Sequence, residues 1–463
     1  MRAHRRSERR QAHIIGGVTT SSPTALALEA LEQWPKHRPL AALVSGPGAG
    51  TWSRRSIFAE PVETRLVRIP AGLDASSANR PLQHELRALL RRTPAVPSAH
   101  NGWIASISYN FGRVLEPKAH SEGGAMDDRD WPVAMLCWCP DALVLDHLTG
   151  AWTVVGDPSR VPSLPLLREA PVSDDRAPFS VGPLEPFVDR VMFEASVARC
   201  IELIHAGELF QANIARRISA PFHGSTRALA ARAFAASGAW FGAYIEADPG
   251  RTIISMSPEL FLSVDAATRR VVTRPIKGTR PEHTAPRELA DSAKDAAELA
   301  MIVDLMRNDL GRVSEIGSVR VDSARQIETH PTVHHAVAEV SGTLRPDVDT
   351  TALLAATFPP GSVTGAPKIR AMQIIDELEP VQRGPYCGAT GLFAGDGSVA
   401  LNVSIRTIAL SGRGHNESPA ELDGTLDYWA GCGIVAESKP EDEWLESVAK
   451  TAVLMKAIAP SDD

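Results

Sequence analysis

The sequence predicts an α+β protein, antiparallel sheets with helices outside, on three observations. Residues 40–160 alternate short apolar runs with turns, as in "LAALVSGPGAG", "TRLVRIPAG" and "WIASISYNFG", the pattern of half-buried strands. Phe187, Val188, Val191, Ala195, Ala198, Ile201 and Ile204 recur at helical spacing before Gly207 and predict an amphipathic helix. Beyond that helix, strands and helices follow one another without the regular βαβ period of a doubly wound sheet. A stretch from Pro158 to Pro183 holds six prolines and reads as a linker. The expected organisation is therefore a strand-rich half over 18–160, a linker over 161–185 and a second half over 186–457.

Composition narrows the class. The chain has 463 residues, enough for one large core or two smaller ones, and is 44% apolar and 22% charged, as soluble globular proteins are. A net charge of -7 without any basic stripe excludes nucleic acid as the expected partner. The arginine-rich first ten residues read as a short tail. No apolar run approaches the ~18 residues of a membrane span, and no apolar signal-peptide core follows the N-terminal arginines. The five cysteines, 137, 139, 200, 387 and 432, are odd in number and sit in apolar contexts, which fits a reducing cytoplasm. Cys137 and Cys139 share a strand face but lack further ligands, so they read as core. "SGPGAG" lacks the Lys-Ser/Thr of a phosphate loop.

Four later stretches carry chemistry. In "RPIKGTR" (274–280) a β-branched run leads to Lys277 at a strand end, followed by a glycine that lets the backbone turn. A lysine held in a cavity loses hydration, and its pKa falls until the amine becomes a nucleophile. "RELADSAKDAAELAMIVDLMRNDL" predicts one helix with Asp295 and Glu298 on one face. "SKPEDEWLESVAKTAVLMKAI" predicts another, capped by Ser438, with Glu443, Glu446 and Lys450 on one face. If the two faces converged they would form an oxygen-only site suited to Mg²⁺. "VALNVSIRTIAL" reads as a strand with Leu401, Val403 and Ile405 facing one way and Asn402, Ser404 and Arg406 the other. Arg406 could grip a carboxylate there, and Gly431 and Gly433 of "YWAGCGIV" could let backbone N–H groups approach it. Residues 411–425 read as an exposed loop between strands.

Together these stretches resemble the chorismate-utilising enzymes. "GELFQANIARR", "SPELFL", "RPIKGTR", "AELAMIVDLMRNDLGRV", "VHHAVAEVSG", "FPPGSVTGAPKIRAMQIIDELEP", "PYCGATG", "SIRTI" and "AGCGIVAESKPEDEWLE" follow the family's order from about 187 to 455. The N-terminal half matches more weakly, through "YNFGRVLE" (109–116), which is similar to "YDLGR.E" of the aminodeoxychorismate synthases with Asn110 as a departure. The resemblance implies two interleaved halves of antiparallel sheets packed as a sandwich, with the active site between. It implies Mg²⁺ at Glu298 and Glu446, supported by Asp295 and Glu443. It implies a chorismate pocket made by Arg406, Tyr386, Lys450, Ser362, Thr279 and the N–H groups of Gly431 and Gly433, with His335 and Glu259 among the catalytic groups.

The family's members differ in what attacks chorismate. Isochorismate and salicylate synthases carry a lysine base where this chain has Gln211, and a neutral amide cannot deprotonate water. Anthranilate synthases have alanine in "PIAGT", leaving C2 open to ammonia; Lys277 fills that slot here. The resemblance thus implies amination at C4 to 4-amino-4-deoxychorismate, through a Lys277 adduct with Glu259 as acid, on the way to p-aminobenzoate and folate. "AGCGIV" lacks the context of a glutamine-hydrolysing cysteine, so ammonia is expected from a separate amidotransferase subunit. Two alternatives stay open: an anthranilate synthase component I, and a non-catalytic chorismate-binding subunit.

Overall fold

The computed structural model describes residues 14–15, 22–48, 50–70, 74–119, 124–163, 178–330, 333–415 and 417–459. Two antiparallel sheets face each other across the main core. The larger, of 13 described strands, runs Ile14–Ile15, Ala151–Val155, Ala142–Asp146, Arg55–Ala59, Ala41–Val44, Phe241–Asp248, Arg251–Ser257, Thr407–His415, Ser418–Ile434, Gln211–Ser225 and Glu185–Pro186. Gly365–Ala366 and Phe179–Val181 also pair with the Gln211 strand. The smaller sheet, of 10 described strands, runs from Ile276–Pro281 through Val333–Thr343, Arg270–Arg274, Leu260–Val264, Val399–Val403, Ala389–Ala394, Gly102–Ile107 and Ala134–Cys139 to Glu63–Val67, with Arg320–Thr329 on the Val333 strand.

Each sheet mixes early and late strands. Leu43 opposes Ala243 in the larger one, and Ile104 opposes Leu392 in the smaller. Neither half has its own sheet, so the two interleave. Ile104, Leu136, Ile245, Ile253, Leu262, Leu401 and Trp429 fill the space between the sheets. Helices Pro23–Glu32, Thr226–Ser237 and Ala452–Ile458 bury a second cluster on the outer face of the larger sheet. A third cluster lies under helices Arg190–His205, Lys368–Leu378 and Pro440–Ala449. Cys137 and Cys139 lie in the main core.

Several local expectations change. The helix before Gly207 starts at Arg190, capped by Asp189, and its buried residues are Phe193, Val197, Cys200 and Leu203. The expected stripe lies beside that face: Val191 is 73% exposed and Ile201 and Ile204 are half-buried. Two apolar series run along this helix, and the one carrying Phe193 wins because its ring packs on Trp444. Residues 411–415 and 418–425 are strand, not loop. Thr407–His415 and Ser418–Ile434 continue as a long hairpin, whose second strand satisfies its backbone groups on Gln211–Ser225 out to Ser225 opposite Glu421. Residues 164–177 of the proline-rich stretch, and the N-terminal tail, lie outside the described residues. Within that stretch, Phe179–Val181 is a strand with Phe179 buried. Helix Ala75–Leu90, capped by Asp74, interrupts the strand-rich half. No helix among the described residues is long and apolar enough to cross a membrane.

Candidate active site

Lys277 is aimed by a bulge rather than by a strand end. Ile276 pairs with Val337 and Thr279 with His335, so two residues on one strand answer one on the other. Gly278 at the bulge has φ +85°, and a Cβ there would lie 2.7 Å from Leu289 Cδ1 and 2.9 Å from Asp295 Cγ. The bulge throws Lys277 toward the other sheet, where a Cβ on Gly433 would come within 3.1 Å of its Nζ. The amine has no hydrogen-bond or ion-pair partner among the described residues. Burial and the nearby Lys450 ammonium hold its pKa below the usual lysine value, against the pull of Glu298, Glu259 and Glu446.

Glu259 and Arg406 sit where the chain crosses from one sheet to the other. Strand Arg251–Ser257 ends in the larger sheet and Leu260–Val264 begins in the smaller. Val399–Val403 leaves the smaller sheet and Thr407–His415 enters the larger, with Arg406 at φ +49°. The expected single strand through Arg406 is therefore broken, because residues 404–406 must change sheets. The two crossings are tied together: Ser257 Oγ donates to Val403 O (2.6 Å), Val403 N to Glu259 O (3.0 Å), and Met256 N to Arg406 O (3.0 Å). Burial lifts the Glu259 carboxyl to about 7, although the Ser362 hydroxyl, Lys277, the Ile276 N–H and Arg406 all favour its anion. A carboxyl there is still half protonated near neutrality and suits a general acid. The Arg406 guanidinium has no hydrogen-bond or ion-pair partner among the described residues. Burial lowers its pKa from the usual arginine value, opposed by Tyr428 and Glu259.

Gln211, Gly433 and Gly431 line the wall opposite the bulge. Asn213 pairs with Gly433 and Ala215 with Gly431. A Cβ on Gly433 would meet Gln211 Nε2 at 2.6 Å, and one on Gly431 would meet Tyr386 OH at 2.8 Å and Asn213 Nδ2 at 3.0 Å. Both glycines therefore clear space for functional side chains. Gln211 is buried, and its Oε1 accepts no hydrogen bond among the described residues. Tyr386 stacks on Trp429 at 6.0 Å. The turn that carries it is fixed by Arg383, which donates to Glu379 Oε1 (2.5 Å), Asn213 O (2.5 Å) and Val363 O (3.1 Å). Lys450 Nζ donates to Gly431 O and Glu446 Oε1, each at 2.7 Å. Burial opposes its charge, but the neighbouring Cys432, Glu446 and Glu443 together raise its pKa.

The two acidic helix faces approach one another, and both helices have changed ends. Helix Ala293–Gly311 is separated from Pro286–Ala290, because the Ser292 side chain caps a new start on Asp295 N. Helix Pro440–Ala449 starts without a side-chain cap; Ser438 instead donates to Glu443 Oε1 at 2.7 Å. Glu298 and Glu446 both act on Lys277. Burial raises the Glu298 carboxyl, with Asp295 and Glu446 adding to the rise, while Lys450 keeps Glu446 low. Asp295 Oδ2 accepts from Arg280 at 2.8 Å. Cys432, Glu443 and Glu446 ligand atoms lie within 4.8 Å of one another. Burial pushes that thiol up, however, and it donates to Glu443 O at 3.3 Å, so it is no thiolate ligand. The remaining donors are oxygens, the set a hard cation takes.

His335 closes the pocket beside the bulge. Its Nδ1 lies 2.9 Å from Thr279 Oγ1, so the threonine hydroxyl serves the imidazole. Burial and the Arg406 charge hold its pKa well below that of an ordinary imidazole. Sequence reasoning missed three neighbours: Asn213, His330 and Trp240. Asn213 sat unremarked inside "FQANIARR" (210–217), and nothing in "ETHPTVHH" (328–335) singles His330 out from two further histidines.

Residues 43–456 match the chorismate binding enzyme family. The chain belongs to that family. The aminodeoxychorismate synthase of Streptomyces griseus is 36% identical over 400 residues, 81% of this chain, which spans only about half (53%) of that relative's length. The aminodeoxychorismate synthase component 1 of Escherichia coli is 32% identical over 444 residues, covering 91% of this chain and 94% of its own. The solved anthranilate synthase component I of Streptococcus pneumoniae superposes with a TM-score of 0.71 at 27% identity, covering 86% of this chain and 92% of its own. The chain is a chorismate-utilising enzyme of α+β fold.

Proposed function

We propose that the chain aminates chorismate at C4, yielding 4-amino-4-deoxychorismate and water, with Lys277 as a covalent nucleophile. The observation that carries this reading is the unpartnered Lys277 amine, aimed by its bulge onto the Gly433 wall, with its pKa lowered by burial. The neutral amine adds at C2 as both ring double bonds shift toward C4, and the C4 hydroxyl leaves as water with a proton from Glu259. Ammonia then adds at C4, both double bonds shift back and the lysine is expelled from C2 as the neutral amine. The proton lost by the new amine restores Glu259. Arg406, unpaired at the sheet crossing, grips a substrate carboxylate, and Tyr386, Thr279, Ser362 and His335 shape the pocket around it. Gln211 offers an amide where a base would be needed to activate water, which disfavours hydration.

Glu298 and Glu446 would hold Mg²⁺, supported by Asp295 and Glu443. When bound, the ion anchors a substrate carboxylate and offsets the repulsion among these acids. Lys450 keeps Glu446 ionised for that task. Ammonia would come from a glutamine amidotransferase subunit, in keeping with relatives named as component 1. The product would feed p-aminobenzoate and folate synthesis.

The likeness to an anthranilate synthase component I supports a second reading, amination at C2. A lysine occupying the approach to C2 disfavours it. A non-catalytic subunit is disfavoured too, since Glu259, Glu298 and Glu446 are all in place. The deciding test incubates the pure chain with chorismate, Mg²⁺ and ammonium, then assigns the product by mass and ring position. 4-Amino-4-deoxychorismate is expected; anthranilate or isochorismate would overturn the reading.

A further inference from the structure

His335 holds its place through one polar contact. Its Nδ1 meets Thr279 Oγ1 at 2.9 Å, its Nε2 has no partner among the described residues, and it is 1% exposed. A ring hinged on one hydrogen bond keeps a fixed plane only if packing fixes it. Among aromatic rings that packing comes from His330, which meets His335 edge-on at 5.1 Å and 69°. His330 in turn lies against Trp240, with ring centres 4.2 Å apart at 43°. The Trp240 indole is pinned from the far side, where its Nε1 donates to Pro47 O at 2.9 Å. A continuous series of contacts thus runs from the turn after Ala41–Val44, through three rings, to the strand that carries Lys277.

We propose that His330 and Trp240 are positioning residues for His335. They act by ring packing, not through a nitrogen. His330 Nε2 has no hydrogen-bond partner among the described residues; the Glu328 carboxylate is 4.0 Å away and is already bound by Arg274. Trp240 holds the His330 ring in plane, and His330 sets the edge against which His335 points its free Nε2. The inference rests on the reading that His335 works in the chorismate pocket.

The test measures kcat and KM for the full chain with chorismate, Mg²⁺ and ammonium, alongside thermal unfolding. His330→Ala and Trp240→Ala should each lower kcat about ten- to a hundredfold with little change in KM, the effect of a misplaced side chain beside the reacting groups. His330→Phe and Trp240→Phe keep the rings and should restore most of the loss. The His335 imidazole ¹⁵N signals should broaden or double in the alanine variants and stay sharp in the phenylalanine ones. If His330→Ala does not fold, His330→Leu, which fills the volume without a ring plane, takes its place with the same expected loss. A His330→Phe enzyme as slow as His330→Ala would show that a nitrogen is needed and overturn the proposal. Wild-type kcat in both alanine variants would overturn it as well. Product identity is read separately on the wild type, so failure of the amination reading would appear there and not in this comparison of rings.

Discussion

Two lysines face one cleft from different elements, and their surroundings give them opposite characters. Lys450, at the end of the Pro440–Ala449 helix, donates to Gly431 O and Glu446 Oε1, and against burial the neighbouring Cys432, Glu446 and Glu443 raise its pKa. Lys277, on a strand bulge, has no such partner, and burial lowers its pKa. Desolvation alone disfavours an ammonium; hydrogen-bonded acceptors reverse the balance. Lys450 is built to stay a cation and Lys277 to become an amine. Glu298, Glu446 and Glu259 pull Lys277 toward the charged form, so the proposed nucleophile is tuned rather than simply deprotonated.

The largest effect that would break this contrast is expected at Lys277. Lys277→Ala should lower C4 amination on the order of a thousandfold or more, as loss of a nucleophile does, with some anthranilate formed as ammonia finds C2 open. Liquid chromatography of the products against time checks it. Glu298→Gln or Glu446→Gln should cut turnover about a hundredfold or more and raise the Mg²⁺ concentration needed, which a metal titration reads directly. Lys450→Met should be milder, roughly ten- to a hundredfold in kcat/KM, since it leaves Glu446 without its fixed cation but keeps the amine. If Lys450→Met were as damaging as Lys277→Ala, with an adduct also lost, the two lysines would not be distinct.

Glu259 offers a sharper electrostatic test. Its folded pKa, about 7, is raised above the ordinary carboxyl value of 4.5, so the folded state binds a proton more tightly than the unfolded one. Its contribution to stability is full below pH ~4.5 and is lost as pH rises through about 7. Glu259→Gln should therefore be inactive yet more stable than wild type at pH 8, by roughly 3 kcal/mol, with the difference closing toward pH 5. Denaturant melts at the two pH values measure it. Gly433→Ala is the smallest change. The new methyl meets only the movable ends of Gln211 and Lys277, so stability should barely shift while kcat falls about tenfold or more from a displaced amine.

Much of this site was legible in the sequence, and the parts that were not share a physical cause. The acidic pairs could be placed because helical spacing alone puts Asp295 beside Glu298 and Glu443 beside Glu446. The α+β class followed from strand alternation. The bulge at Gly278 was not legible, since it appears only when the Val333–Thr343 strand fixes the register. Arg406 was read inside one continuous strand because the alternation runs from Leu401 through Arg406, whereas two facing sheets require the chain to cross there. The hairpin over 411–425 looked like a loop because its polar, glycine-bearing residues gain strand structure only from the long neighbour Gln211–Ser225. The buried stripe of Arg190–His205 was misplaced because two apolar series were present and Trp444, distant in sequence, selected between them. His330 and Trp240 meet across ninety residues of sequence, which no local pattern encodes.

The central claim is that Lys277 becomes covalently joined to chorismate, and one measurement addresses it directly. The pure protein is mixed with chorismate and Mg²⁺ without ammonia, quenched in acid and examined by intact and peptide mass spectrometry. An adduct of chorismate less one water on the peptide containing Lys277, absent from Lys277→Ala and discharged by added ammonium, is the predicted result. No adduct at any time point, together with wild-type amination by Lys277→Ala, would contradict it.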